Sequence, residues 1–189
     1  MAVEDRDLWN LIQAIQGAEL RHFGVRYSQG HRELKAKKLL NKKTFRKAGQ
    51  LAPFPTEERQ ALARRCLEEG GNVGIREIAA LAQAKLAYVT EVLEICSRFR
   101  CSAFASIVDA DGPEPHVCDL LRRDYCYLFE RFFYFLEDKD GNASGIVVFD
   151  ELEKSKSHIL VGQMDSYFKF SKQRPVAGAT DYSGTVFRP

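Results

Sequence analysis

The run Val147-Val-Phe-Asp150-Glu151 ends an apolar segment on a pair of carboxylates. Rigidly mounted oxygens of this kind suit a hard divalent cation, Mg²⁺ or Mn²⁺, which prefers carboxylate and water ligands. A metal so held can activate water and stabilise charge on a phosphoryl group. An aspartate in this place also serves as a helix cap or the start of a turn, and both readings stand. Glu33, in His31-Arg-Glu-Leu-Lys35, is the second carboxylate of interest. It is the one acid in a tract that holds Arg32, Lys35, Lys37, Lys38, Lys42, Lys43, Arg46 and Lys47. There it is either the ion-pair partner of Arg32 or Lys35, or a ligand beside a phosphate-binding surface. Eight cations in the seventeen residues from His31 to Lys47 make the electrostatic footprint of a contact with the phosphate backbone of DNA or RNA. The plainer alternative is a solvated helix surface.

Other chemistries lose support. His22, His31, His116 and His158 show neither HxxxH nor HxH spacing, which argues against a zinc hydrolase, although His158 lies eight residues beyond Asp150. For His22 and His116 a surface or capping role is expected. Cys66, Cys96, Cys101, Cys118 and Cys126 are odd in number and without CxxC spacing, so reduced, mostly buried thiols are expected. No Gly-x-Ser-x-Gly elbow, Walker loop or dinucleotide-binding glycine motif occurs.

The elements that must position these groups follow from periodicity. With 189 residues, 45% of them apolar and a net charge of +2, the chain reads as a single domain over 1–189 with an irregular tail over 171–189. No uncharged apolar run is long enough to span a membrane and the first residues resemble no signal peptide, so a cytoplasmic location is expected. Helices are predicted over about 7–23, 39–48, from Thr56 to Gly70, 75–98 and 117–138, with a further one through Ile159, Leu160, Met164, Tyr167 and Phe168. The helix over 75–98 carries one apolar stripe, Ile75, Ile78, Ala79, Ala82, Leu86, Val89, Leu93 and Cys96, and reads as a surface helix packed along one face. Residues 125–135 hold seven of the 21 aromatic residues, a density that suits a buried helix better than a base-stacking platform. The short apolar runs 101–108 and 145–150 read as strands around that helix, a βαβ unit. The predicted fold is α/β, a partly parallel sheet flanked by helices, with Asp109 and Asp150 at the ligand-binding edge.

Four segments carry a resemblance: Glu33-Leu-Lys-Ala-Lys-Lys-Leu, Ile75-Arg-Glu-Ile-Ala-Ala-Leu, Leu128-Phe-Glu-Arg-Phe-Phe-Tyr-Phe-Leu and Gly145-Ile-Val-Val-Phe-Asp-Glu-Leu-Glu-Lys-Ser-Lys-Ser-His. Over residues 6–170 the chain resembles an uncharacterised, mostly bacterial and phage-associated family of ribonuclease H-like fold whose members open with Asp-Glu-Ser-Gly. The resemblance implies a metal-dependent nucleic-acid phosphodiesterase, with Glu33, Asp150 and Glu151 at the catalytic centre and Mg²⁺ or Mn²⁺ held by Glu33 and Asp150. It also implies a sheet forming the later part of that fold. The Asp-Glu-Ser-Gly strand and the late carboxylate segment are missing, so the chain reads as a partial member with an incomplete, weakly metal-binding site. The alternative from another class is a catalytically silent module that binds nucleic acid or protein, in an oligomeric state the sequence leaves open.

Overall fold

The computed structural model describes residues 1–28, 34–70, 73–105, 123–139, 143–147 and 161–167. The chain forms two compact units, Met1–Ala103 and Phe104–Pro189. In the first unit, helices α1 (Asp5–Phe23), α2 (Ala36–Leu39), α3 (Lys42–Ala48) and α4 (Thr56–Glu69) all pack on α5 (Ile75–Arg98), and α1 also packs on α4. The core is Leu11, Ala18 and Phe23 of α1, Leu39 of α2, Ala63 of α4, and Ala84, Tyr88 and Ile95 of α5. Alanines at these crossings let helix backbones approach closely. The space between α1 and α5 is filled by rings, with Phe23 5.3 Å from Tyr88 and 5.1 Å from Tyr27.

α5 is therefore the central helix of its unit and not a helix packed along one face. Its buried residues, Ala79, Ala80, Ala82, Ala84, Tyr88 and Ile95, spread around it because it has neighbours on several sides, while Ile75 and Leu93 of the expected stripe are exposed. α1 stops where Gly24 turns left-handed at φ 68°, its N–H donating to Leu20 O at 2.9 Å. Arg64 Cβ stands 3.2 Å from where a Cβ on Gly24 would lie. The expected helix over 39–48 is split in two by Asn41. Its Nδ2 donates to Lys38 O at 2.9 Å, satisfying the end of α2, and its Oδ1 accepts from Thr44 N at 2.9 Å, capping the start of α3.

In the second unit α6 (Arg123–Glu137) is followed by 143–147 and a helical segment over 161–167. Cys126 and Met164 are buried together, with Tyr125, Phe129 and Tyr167 around them, and Phe104 meets Phe135 at 5.4 Å. The aromatic helix is less enclosed than its composition suggests. Tyr127, Glu130, Tyr134 and Glu137 form an exposed face at spacings of three and four.

The predicted α/β fold is not found. The described residues are helical and contain no strand, so the partly parallel sheet and the ribonuclease H-like core are both overturned. Of 101–108, residues 101–105 are described, and their one pairing is an isolated antiparallel bridge between Ser102 and Ala2. Arg100, at φ 50°, turns the chain out of α5 and towards that partner. Of 145–150, residues 145–147 are described, and Gly145 lies against α6, where a Cβ on it would come within 2.8 Å of Phe132 Cε1. An apolar β-branched run becomes a strand only beside another strand; among the described residues Gly145 meets α6 instead, and Ile146 is exposed. The cysteines Cys66, Cys96, Cys101 and Cys126 are free thiols as expected, although only Cys126 is buried. No helix among the described residues is long and apolar enough to cross a membrane.

Candidate functional site

Two devices hold the basic segment in place. Leu39 and Thr44 are buried against the bundle, which fixes one side of α2 and of α3 inward. The turn after α3 is tied to the central helix by Gln83. Its Nε2 lies 3.1 Å from Ala48 O and 3.2 Å from both Leu51 O and Ala52 O, and its Oε1 accepts from Phe54 N at 3.0 Å. A single α5 side chain thereby satisfies the polar backbone of a loop interrupted by Pro53 and Pro55, where regular structure cannot.

With one side anchored, the other side turns a row of cations to solvent. Lys35, Lys37, Lys38, Lys42, Lys43 and Arg46 are exposed and Lys47 is half-buried. Residues 34–48 contain no aspartate or glutamate. Among the described residues no carboxylate pairs with Lys37, Lys38, Lys42, Lys43 or Arg46. Lys47 looks the other way, towards Cys66 and Lys85. Burial, and then the Lys47 charge, hold the Lys85 ammonium below its ordinary range, while burial pushes the Cys66 thiol up. The Lys85 Nζ also lies 5.9 Å from the Tyr27 ring, a cation–π contact that helps retain its charge.

Of the residues expected at a metal centre, Glu33, Asp150 and Glu151 lie outside the described residues, as does Arg32 of the basic tract. Among the described residues there is no group of three or more His, Cys, Asp or Glu side chains that could hold a metal ion.

A second polar cluster escaped the sequence reading. His22, expected at the surface, is 8% exposed between α1 and α5, with Nε2 2.6 Å from Glu91 Oε2. A carboxylate only accepts, so Nε2 carries the proton. Arg21 Nε donates to the same carboxylate at 3.0 Å. Burial lowers the His22 pKa despite the Glu91 charge beside it, and Nδ1 is buried without a partner, as is Nε of Arg59 on α4. Burial alone would raise the Glu91 pKa, but hydrogen bonds from Arg21 and His22 hold it below the ordinary carboxylate value. One turn away Glu19 is buried and accepts from Ser28 N and Oγ, both at 2.9 Å, while burial and then the Glu19 charge push Tyr88 up to about 12. The signal was available, because Leu11, Ala18 and His22 fall on one face of α1 at helical spacing.

In this cluster Glu91 is matched by Arg21 and His22 across α1 and α5, so it ties those helices together. The α2–α3 face has unmatched charge and is open, so it can take a polyanion. Comparison with known proteins finds no matching family, no matching curated protein and no matching solved structure; without a family match, and with the implied sheet not found among the described residues, the ribonuclease H-like resemblance is overturned.

Proposed function

We propose that this protein is a nucleic-acid-binding module whose α2–α3 face holds the phosphate backbone. The observation that carries the reading is the row Lys37, Lys38, Lys42, Lys43 and Arg46, exposed on a braced surface with no carboxylate partner among the described residues. Like charges held this close repel one another, and a phosphate chain relieves the repulsion while releasing its own condensed counterions.

Fluorescence anisotropy with labelled DNA and RNA over a salt series tests it. With about five phosphate contacts, the slope of log K against log salt is about −3.5 on a single strand, which is about 100-fold in affinity between about 50 and 200 mM. Replacing the five cations by glutamine removes binding. Binding that ignores salt, or that survives the five replacements, overturns the proposal. The same mixtures with Mg²⁺ or Mn²⁺ report strand scission, the activity expected of Glu33, Asp150 and Glu151.

A further inference from the structure

We propose that the strand held on the α2–α3 face is single, with one of its bases stacked on Phe45. The inference rests on the nucleic-acid reading and specifies which form of nucleic acid is bound.

Phe45 belongs to the seven-residue helix that carries Lys42, Lys43 and Arg46, yet its side chain takes no part in the core. It is 53% exposed, an unusual place for a phenyl ring beside three cations. Its position follows from the helix period. Thr44 and Ala48 face the bundle, Lys42 and Arg46 form an i,i+4 row on the solvent side, and Phe45 lies along one flank of that row. Gly49 follows one turn later and ends the helix. Its φ of −83° is open to every residue, and a Cβ there would meet no atom nearer than Phe45 O at 3.6 Å.

A ring in that place adds nothing to phosphate binding, because phosphate oxygens are strongly hydrated and a phenyl face has no donor to offer them. It is matched to the face of a base. In a duplex the base faces are covered by their neighbours, and reaching one requires unstacking the helix. In a single strand they are free, and stacking on an aromatic side chain beside a cationic track is how unpaired strands are held with little regard to sequence. The row Lys42–Arg46 then carries the backbone, and Phe45 receives a base turned off it.

Anisotropy with a labelled single strand and the matching duplex, at equal salt, tests the proposal. Phe45→Ala is expected to weaken single-strand binding by about 5- to 150-fold while leaving its salt slope and the duplex affinity unchanged. Phe45→Trp is expected to retain affinity. In a Trp9→Phe background, which removes the chain's one tryptophan, its emission is expected to be quenched by the single strand and not by the duplex. Because Phe45 lies outside the core, unchanged helical circular dichroism accompanies both substitutions. Equal loss on the two substrates, or no loss on either, overturns the stacking assignment while salt-dependent binding through the five cations still stands. Absence of any binding by the unaltered protein removes both proposals.

Discussion

α4 and the α2–α3 segment are both densely charged helical surfaces on α5, and they treat their charge in opposite ways. On α4 each exposed arginine has an acid one turn on, with Arg64 Nε 2.8 Å from Glu68 and Arg65 Nε 3.0 Å from Glu69, and Glu58 accepts from Arg76 of α5 at 2.6 Å. That surface is self-neutralised and has little field to offer a charged partner. On α2–α3 the acids are absent from residues 34–48, so the field extends into solvent. The number of basic residues is thus a poor guide to binding; what counts is how many lack a matching acid within one turn.

The largest effect should come from making α3 resemble α4. Lys42→Glu with Lys43→Glu puts carboxylates one turn ahead of Arg46 and Lys47, and affinity for a single strand should fall by roughly 100- to 1,000-fold near 50 mM salt. Anisotropy would read it, with circular dichroism confirming that the helices remain. Next in size is Gln83→Leu, which strands four backbone groups of the turn after α3 and should cost about 1–3 kcal/mol in urea unfolding, with weaker binding because α3 loses its brace. A smaller effect concerns pH. The His22 pKa is lowered in the folded protein, so the unfolded chain takes up the proton first as pH falls through 6.5. Stability should therefore be complete above 6.5, decline as pH falls towards the folded value, and then level off. His22→Gln should flatten that part of the profile between pH 7.5 and 5.5. Least of all, Arg64→Gln with Arg65→Gln on α4 should change stability by about 0.5 kcal/mol or less and leave nucleic-acid affinity within about 2-fold. A large binding loss there would undo the contrast between the two surfaces.

How far the sequence could be read depended on how local the determinants are. The bounds of α4 and α5 were legible to within a residue because Thr56, Gly70 and the apolar spacing act within a turn or two. The basic face was legible for the same reason, as seven of its eight cations sit within thirteen residues of one another. The split at Asn41 was missed because its side chain caps two helices at once, and composition gives no weight to that geometry. The strands were misread because a short apolar run takes its state from its neighbour: Ser102 makes one isolated bridge to Ala2, and Gly145 meets Phe132 of a helix. His22 was misplaced because its partner Glu91 lies far away in sequence, beyond any local pattern.

The bridge between Ala2 and Ser102 also bears on how the first unit folds and comes apart. Its two hydrogen bonds, Ala2 N to Ser102 O at 2.7 Å and Ser102 N to Ala2 O at 2.9 Å, join residues separated by almost the whole unit. Closing so long a loop before the helices have met is entropically unfavourable, so the bridge belongs to the last stage of assembly and contributes little to the transition state. A contact of that kind acts as a clasp: lost, it speeds unfolding while the folding rate hardly changes. The Ala2 pairing thus bears on the lifetime of the folded unit more than on the speed at which it forms.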